Sequence, residues 1–240
     1  MIFHFYCNKG KDLKKCASLI DDGAIVIFPT DTVYGIGCDP LNDDSVLKLF
    51  KIKRRPLDKY LPILTNDVTN LSQLVEVTEE AKILIDHFWP GQITLILKLL
   101  NNSLASRYAF DKTIAIRIPN NTCTTNLIKM TKNKLLVGTS ANLSEHPPFT
   151  NINDLKNSHL QGYDAIVYED KERIRDGEKV RIGGGRAVGG GVTEKARGTS
   201  NSSIPVSTIV DLVEINNPKI KREGIISKEK IFATLKENLL

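Results

Sequence analysis

The chain has 240 residues, of which 41% are hydrophobic and 25% are charged, and its formal net charge is +5. This length and composition favour one globular domain spanning 1–240 and exclude a largely disordered chain. The small basic excess suits phosphate or nucleic-acid partners without selecting either. No apolar run reaches the roughly 18 residues of a membrane span, and residues 1–15 lack the layout of a secretory signal.

Short β-branched runs alternate with segments of helical periodicity, which predicts an α/β fold. Strands are predicted at Ala24–Phe28, Leu61–Thr65, Ile93–Leu99, Thr113–Ile118, Leu135–Thr139, Ala165–Tyr168, Ile204–Leu212 and Pro218–Arg222. Helices are predicted at Ser45–Lys53, Glu79–Phe88, Thr122–Met130, Ile152–His159 and Ser227–Asn238. Asp43 or Asp44 is expected to cap the first helix and Thr78 the second.

The four cysteines, Cys7, Cys16, Cys38 and Cys123, are scattered and form no CxxC pair. Their spacing excludes a zinc ribbon and argues against a disulfide scaffold. We therefore expect reduced thiols and a soluble, cytoplasmic protein.

The segment 178–203 departs from the pattern because it holds seven of the 16 glycines, including two Gly-Gly-Gly runs. Glycine loses more backbone entropy on ordering than any other residue, so we expect a loop or insertion inside the domain. Its backbone amides and basic side chains suit a lid over phosphates, whereas its composition alone favours a solvated insertion. Both interpretations stay open.

Polar side chains follow two of the predicted strands. Pro29–Gly37 comes after the first strand and carries the hydroxyls of Thr30 and Thr32 and the phenol of Tyr34. A later strand runs into Thr139–Asn142, which is again rich in hydroxyl and amide groups. Because ligands in open α/β sheets bind beyond the carboxyl ends of strands, both segments are candidates for a polar pocket. Local turns that satisfy their own backbone are the alternative.

Basic residues gather where a helix must end. Five of the nine residues in 51–59 are basic, and Pro56 forces the residue before it out of the helical conformation. The functional interpretation is a polyphosphate clamp. The alternative is a solvated helix end, because cations are favoured there by the helix dipole.

Arg117 lies in the otherwise apolar strand Thr113–Ile118. Since a buried charge needs a partner, Arg117 either occupies the exposed face of an edge strand or points into a pocket at a carboxylate. The carboxylate of a small ligand would suit its bidentate fork. A late strand carries Ser207, and Arg222 follows shortly before Gly224.

The order of these motifs resembles the threonylcarbamoyl-AMP synthase family with its YrdC-like domain. The motifs are PTDTVYGIG, KxRP, FWPGQITLIL, IAIRIP, TSAN and STIVD, and they cover roughly residues 20–224. The resemblance implies a twisted open mixed sheet with flanking helices around a basic cavity. It further implies a nucleotidyltransferase that makes threonylcarbamoyl-AMP and pyrophosphate from L-threonine, bicarbonate and ATP, with Mg²⁺ accompanying the triphosphate. The product would pass to a tRNA threonylcarbamoyl transferase for threonylcarbamoyladenosine synthesis.

The family's functional residues carry over onto the matching positions of this sequence. Those implied for ATP are Lys53, Arg55, Lys59, Asn142, Thr150 and Arg222. Those implied for L-threonine are Thr32, Tyr34, Arg117, Ser140 and Ser207. No acid–base residue and no metal ligand is implied, and the four histidines are isolated in the sequence.

The chain departs from the family pattern at several positions. Leu64 stands where longer members have a histidine, and Lys59 stands where many relatives have another polar residue. Arg222 is followed by Glu223 where the family usually has proline. We also expect this chain to lack the extra C-terminal domain of the longer members.

Two alternative functions differ from this interpretation. Carbamoyl transfer in hydrogenase maturation also uses a YrdC-like domain, but those proteins add modules that do not fit into 240 residues. The second alternative is an RNA-binding module without synthase activity, with RNA bound weakly in a basic cavity. Single-strand binders usually place aromatic residues along the basic groove, and aromatics make up only 6% of this chain.

Overall fold

A computed structural model describes residues 1–59, 61–69, 71–100, 112–169 and 205–239. The predicted loop at 178–203 lies outside these residues. In chain order the strands are β1 (Phe3–Tyr6), β2 (Val26–Phe28), β3 (Gly35–Gly37), β4 (Ile63–Thr65), β5 (Ile93–Lys98), β6 (Thr113–Arg117), β7 (Leu135–Val137), β8 (Thr139–Ser140), β9 (Ala165–Tyr168), β10 (Thr208–Asp211) and β11 (Lys219–Arg222). The helices are α1 (Gly10–Asp21), α2 (Asp43–Lys53), α3 (Leu71–Leu74), α4 (Glu79–Phe88), α5 (Thr122–Met130), α6 (Ile152–Lys156) and α7 (Lys228–Asn238).

The mixed α/β fold with flanking helices is confirmed, and the strands are divided between two mixed sheets rather than one. The five-stranded sheet has the order β1-β9-β2-β3-β8, and the six-stranded sheet has the order β11-β10-β5-β6-β4-β7. Parallel pairs such as β2 with β9 and β5 with β10 lie beside antiparallel pairs such as β5 with β6. β6 is therefore an interior strand with a neighbour on each side.

The chain passes from one sheet to the other at Gly138, between β7 and β8. A Cβ atom at Gly138 would lie 2.3 Å from the side chain of Leu64, and one at Gly37 would lie 1.6 Å from the Val137 carbonyl oxygen. Only glycine permits this approach of the backbones. The crossing places β8 antiparallel to β3, with Ser140 opposite Gly35. The TSAN and PTDT motifs are consequently neighbours.

A continuous hydrophobic core lies between the two sheets and the helices. It includes Ile27 and Ile36 from the five-stranded sheet, Ile63 and Leu95 from the six-stranded sheet, and Leu49 from α2, all 0% exposed. A smaller cluster packs α1 against α5. Each fully buried aliphatic side chain contributes about 1.5–3 kcal/mol, so the sheets provide a rigid frame for the loops at their edges.

Most predicted helix ends agree with the structure. Thr78 caps α4, Ser227 caps α7, and α5 has the predicted bounds. The predicted cap of α2 is wrong, because the side chain of Asn42 accepts from the backbone amide of Ser45. Asp43 and Asp44 instead lie in the first turn, where negative charge stabilises the helix dipole. Helix α6 ends at Lys156, before the predicted His159. None of the helices in the described ranges is long and apolar enough to cross a bilayer.

The expectation of four reduced thiols is wrong for one pair. Cys7, after β1, and Cys123, in the first turn of α5, form a disulfide with their Cα atoms 5.3 Å apart. The two residues are 116 positions apart in the sequence, so their spacing could not reveal a contact made by the fold. Cys16 and Cys38 are free and buried, and burial raises the pKa of Cys16 to about 12. Cys16 is therefore a neutral thiol at physiological pH.

Candidate active site

The PTDT segment forms a turn that its own hydroxyl groups hold together. Thr30 Oγ1 donates to the Val33 carbonyl at 2.6 Å and lies 3.0 Å from Thr32 Oγ1. The Thr32 backbone amide donates back to Thr30 Oγ1 at 3.1 Å. Thr124 Oγ1, in the first turn of α5, donates to the Pro29 carbonyl. The local-turn interpretation is thus correct for Thr30, and the turn fixes Asp31 and Thr32 beside the end of β6.

Arg117 is a buried cation paired with a carboxylate of the protein itself. Its side chain is 8% exposed, and Nη2 lies 2.6 Å from Oδ1 of Asp31, whose side chain is 9% exposed. Nε donates to the Gly91 carbonyl at 2.7 Å, and Nη1 is 3.5 Å from Thr32 Oγ1. The edge-strand alternative is wrong, because β6 lies inside its sheet. Burial lowers the pKa of Arg117 while Asp31 opposes that shift, and the guanidinium stays charged.

Ser207 and Arg222 lie next to this pair. Arg222 donates through Nε and Nη2 to the Ser207 carbonyl at 3.1 and 2.8 Å, and Nη2 is 3.1 Å from Ser207 Oγ. Ser207 Oγ is 3.0 Å from Thr94 Oγ1 on β5. Burial, and then the charge of Arg117, lowers the pKa of Arg222. We call Asp31, Thr32, Arg117, Ser207 and Arg222 the Arg117 cluster.

Lys53 is a second buried cation, but its partners are carbonyl oxygens. The residue ends α2 and is 2% exposed. Its Nζ donates to the carbonyls of Ser140 and Asn142, the latter at 2.7 Å. Burial, with a smaller contribution from the charge of Arg55, lowers the pKa of Lys53 to about 7. Through these two hydrogen bonds Lys53 Nζ joins the TSAN turn to the end of α2.

Asn142 reinforces this attachment. Its Nδ2 donates to the carbonyls of Leu143 and His146 at 2.8 and 2.5 Å. The Ser144 amide donates to the Lys53 carbonyl at 2.9 Å. Asn142 Oδ1 is buried, and no hydrogen-bond donor reaches it from the described residues. We call Lys53, Arg55, Ser140 and Asn142 the Lys53 cluster.

Arg55 follows the helix end that presents it. Arg54 has a left-handed conformation with φ of 51°, which terminates α2 and turns the chain. Arg55 Nε donates to the Lys59 carbonyl at 3.2 Å. Burial lowers the pKa of Arg55, and nearby Asp58 opposes the shift. Arg55 is half-buried while Lys59 is exposed, so this turn places positive charge at the protein surface.

Tyr34 joins the two clusters. Its backbone carbonyl accepts from the Ala141 amide at 2.7 Å, and its amide donates to the Phe149 carbonyl at 3.0 Å. The residue is 5% exposed and follows the PTDT turn directly. Thr150, after Phe149, is exposed on this same stretch. One backbone segment therefore runs from the Arg117 cluster to the Lys53 cluster.

A cavity of about 350 Å³ lies over the six-stranded sheet. Strands β5, β6, β10 and β11 and the turn after β10 line it, including Ile96, Ala115, Asp211, Lys219 and Lys221. None of the predicted site residues lines this cavity. Arg117 and Ala115 are two residues apart on β6, so their side chains lie on the same face of the sheet.

The family model described as telomere recombination, which unites Sua5, YciO and YrdC proteins, matches residues 18–181. This match covers more than half of the chain. The chain belongs to the Sua5/YciO/YrdC family. A threonylcarbamoyl-AMP synthase of Bacillus subtilis is 36% identical over 137 residues, covering 56% of this chain and 39% of that protein. One of Pseudoalteromonas translucida is 35% identical over 156 residues, covering 61% of this chain and 80% of that protein.

Solved structures of the Sua5/YciO/YrdC family share the fold. Sua5 of Pyrococcus abyssi, determined in complex with L-threonine, has a TM-score of 0.76 at 27% identity and covers 99% of this chain and 62% of that one. YciO of Escherichia coli has a TM-score of 0.72 at 20% identity and covers 97% and 98%. The chain spans 39% and 48% of the length of the Bacillus and Pyrococcus synthases that it matches.

The residues inferred from the family motifs fall largely into the two clusters. Thr32, Arg117, Ser207 and Arg222 lie together, as do Lys53, Arg55, Ser140 and Asn142, and Tyr34 connects them. Lys59 and Thr150 are exposed; the Lys59 carbonyl accepts from Arg55, and Thr150 follows Phe149, whose carbonyl accepts from Tyr34. The sequence interpretation gave Asp31 no role. Two features of the sequence could have indicated it: Asp31 lies between two threonines of a candidate site, and the buried Arg117 needs a carboxylate partner.

Proposed function

We propose that this protein is an L-threonylcarbamoyladenylate synthase that forms threonylcarbamoyl-AMP and pyrophosphate from L-threonine, bicarbonate and ATP. The observation that carries the proposal is the Arg117 cluster, in which a buried guanidinium at the end of β6 pairs with Asp31 and lies 3.5 Å from the Thr32 hydroxyl. Membership of a family with many threonylcarbamoyl-AMP synthases supports it. The core that spans both sheets supports a single domain.

For L-threonine we propose Thr32, Tyr34, Arg117, Ser140 and Ser207 as the binding residues. Asp31 and Gly91 occupy Arg117 Nη2 and Nε, while Nη1 has, among the described residues, the single 3.5 Å contact with Thr32. Nη1 is therefore the group that we assign to the substrate carboxylate. The hydroxyl of Thr32 lies beside Arg117 and that of Ser207 beside Arg222, and both can orient the ligand. Similarity to a Sua5 that binds L-threonine supports this assignment.

For ATP we propose Lys53, Arg55, Lys59, Asn142, Thr150 and Arg222. Arg55 and Lys59 carry accessible positive charge suited to a triphosphate. Lys53 acts on the nucleotide through the turn that its ammonium group holds. The unpartnered Asn142 Oδ1 is an acceptor for a ligand amino group. We place both substrates in a basic cavity between the two clusters.

Mg²⁺ would reach this site on the triphosphate, because ammonium and guanidinium groups are not ligands for a metal cation. The Lys53 cluster offers cations and amides, and the described residues contain no group of three or more His, Cys, Asp or Glu side chains. The phosphate oxygens would then hold the ion, which supplies charge neutralisation for the leaving group. Arg55 and Lys59 add fixed positive charge on the same phosphates.

The proposed reaction proceeds by positioning and charge stabilisation. The threonine amine, in its neutral form, attacks the carbon of bicarbonate with release of water, or of carbon dioxide with release of a proton, and forms a carbamate. A carbamate oxygen then attacks the α-phosphorus of ATP, and pyrophosphate leaves. Holding the reactants in line supplies up to about 7–11 kcal/mol of the barrier reduction. The product would pass to a tRNA threonylcarbamoyl transferase.

Pyrophosphate release tests the proposal. The full chain is incubated with ATP and Mg²⁺, with and without L-threonine and bicarbonate, and with L-serine in place of L-threonine. We expect release only when both small substrates are present, and labelled bicarbonate should enter the nucleotide product. Arg117→Ala should abolish release, whereas Lys98→Ala, which removes an exposed cation from β5, should not. Equal release without an amino acid would contradict the synthase. RNA affinity with a steep salt dependence and no turnover would favour an RNA-binding module instead.

A further inference from the structure

Asp31 has one carboxylate oxygen with a partner and one without. Oδ1 lies 2.6 Å from Arg117 Nη2, so this oxygen has a hydrogen-bond donor. Oδ2 is buried, and no hydrogen-bond donor reaches it from the described residues. The side chain as a whole is 9% exposed, so solvent does not replace the missing donor. Such an atom is rare in native proteins, because desolvation of an unpaired oxygen is costly.

The neighbouring threonine hydroxyls and the backbone carbonyl of Asp31 have hydrogen-bond partners. Thr30 Oγ1 donates to the Val33 carbonyl, and Thr32 Oγ1 has contacts with Thr30 and Arg117. Gln92 Nε2 donates to the Asp31 carbonyl at 3.3 Å. Among the described residues the carboxylate oxygen Oδ2 thus lacks a donor, and a molecule that binds here can supply it.

The chemistry of the pair indicates what that molecule offers. Arg117 and Asp31 present a guanidinium and a carboxylate side by side. An α-amino acid carries a carboxylate and an ammonium group on the same carbon atom, so its negative group can face the guanidinium while its positive group faces the carboxylate. An ionised carboxylate oxygen accepts only from donors, and an ammonium group makes the charge-assisted hydrogen bond that is strongest for it.

We propose that Asp31 binds the α-ammonium group of the amino-acid substrate through Oδ2, so that Asp31 and Arg117 together recognise the zwitterion. The inference rests on the proposed function, since it deepens the L-threonine site. Asp31 is then a specificity-determining residue that rejects hydroxy acids of the same size. Arg117, held by Asp31, turns its remaining N–H groups to the substrate carboxylate.

The experiment compares three ligands by calorimetry with the full chain. L-Threonine has carboxylate, ammonium and hydroxyl groups. 3-Hydroxybutyrate lacks the ammonium group, and L-2-aminobutyrate lacks the hydroxyl group. The variant is Asp31→Asn, and the matched control is Asp86→Asn, which removes an exposed carboxylate from α4. Circular dichroism verifies that each variant is folded.

We expect the wild-type protein to bind L-threonine at least tenfold more tightly than 3-hydroxybutyrate. In Asp31→Asn this preference should fall at least tenfold, because L-threonine weakens while 3-hydroxybutyrate is little changed. Asp86→Asn should keep the preference. A structural role alone would weaken both ligands equally and leave the ratio unchanged, which would overturn the proposal. If Asp31→Asn lowered only the preference for L-threonine over L-2-aminobutyrate, Oδ2 would bind the substrate hydroxyl group. That result would also overturn the proposal.

Two results keep the outcomes separable. If Asp31→Asn does not fold, the wild-type preference decides, because equal binding of L-threonine and 3-hydroxybutyrate contradicts an ammonium contact. If the wild-type protein binds none of the three ligands in the presence of ATP, the proposed function fails. L-Threonine binding with an unaltered preference in the variant removes only the role of Asp31.

Discussion

Arg117 and Lys53 are both buried cations at the ends of regular elements, and their surroundings differ in one respect. Arg117 faces the carboxylate of Asp31 at 2.6 Å, whereas the partners of Lys53 in the described part of the chain are the carbonyls of Ser140 and Asn142. The carboxylate neutralises the first charge. The second has dipoles alone, and burial lowers the pKa of Lys53 to about 7. A basic residue in an apolar segment can therefore have either of two roles. It can form an ion pair that also binds a ligand, as Arg117 does in our proposal, or it can hold a backbone turn in place, as Lys53 does.

The distinction assigns separate tasks to the two clusters. The Arg117 cluster has side chains with donors and an acceptor still available, and these suit a small zwitterion. In the Lys53 cluster, Lys53 Nζ donates to carbonyls of the TSAN turn. We therefore assign contact with the phosphates to Arg55 and its exposed neighbour Lys59. Variants that break one cluster and spare the other therefore test the difference.

The largest effect is expected for Arg117→Ala. Its removal leaves Asp31 buried without a counter-charge, so the free energy of unfolding should fall by about 3–5 kcal/mol. L-Threonine binding should be lost with it. The double variant Arg117→Ala with Asp31→Ala should recover much of the stability but none of the binding. Urea denaturation and calorimetry measure the two quantities. A single variant as stable as the wild-type protein would show that the ion pair is dispensable.

Lys53→Met should change how stability depends on pH. Because the pKa of Lys53 is about 7 in the folded state and 10.5 in its ordinary range, the unfolded chain binds the extra proton between these values. Wild-type stability should therefore rise with pH above 7, by up to about 1 kcal/mol per pH unit from this residue. The variant should lack this contribution, while Lys51→Met, exposed on the same helix, should retain it. Unfolding at pH 6.5, 7.5 and 8.5 measures it, and parallel curves for Lys53→Met and wild type would contradict the account.

Arg55→Ala should weaken ATP without a comparable loss of stability. One charge-assisted contact with a phosphate contributes about 1.5–3 kcal/mol, so the dissociation constant for ATP should rise roughly tenfold to a hundredfold. L-Threonine affinity should stay within about twofold, since the residue belongs to the other cluster. Arg54→Ala serves as the control, because it removes the adjacent exposed guanidinium. Unchanged ATP affinity in Arg55→Ala would favour the alternative interpretation, in which this turn is a solvated helix end without a role in ATP binding.

The smallest effect is expected at the surface. Lys98 and Glu76 form an exposed ion pair at 3.2 Å, with side chains 61% and 39% exposed. Lys98→Ala should change the free energy of unfolding by less than about 1 kcal/mol, because solvent and salt screen such pairs. Thermal unfolding at low and high salt measures it. A loss as large as that of Arg117→Ala would mean that burial does not set the contribution of these pairs.

Much of the fold could be predicted from local signals. Helix α4 begins directly after Thr78, and α5 has the bounds that its apolar spacing predicts. Helix α1 was missed although Leu13, Cys16, Ala17 and Ile20 repeat at helical spacing, because Lys9 makes no side-chain cap to mark its start. Strand β3 was missed because glycine has low strand propensity, and its pairing with β2 and β8 outweighs that preference.

The site could be predicted only as a set of residue types. Motif order brought the right segments together, and Arg117 was expected to meet a carboxylate. That the carboxylate is Asp31, that Lys53 binds carbonyls of a turn 87 and 89 residues away, and that Cys7 bonds to Cys123 are consequences of packing between distant segments. No local pattern encodes such contacts.

Nitrogen-15 NMR of arginine side chains tests the division between the clusters most directly. The Nε resonances of Arg117 and Arg55 are assigned with Arg117→Lys and Arg55→Lys, and the labelled protein is titrated with L-threonine and with ATP separately. We expect L-threonine to move the Arg117 resonance and leave that of Arg55 in place, and ATP to move that of Arg55. If ATP moved the Arg117 resonance and L-threonine did not, the result would contradict the account.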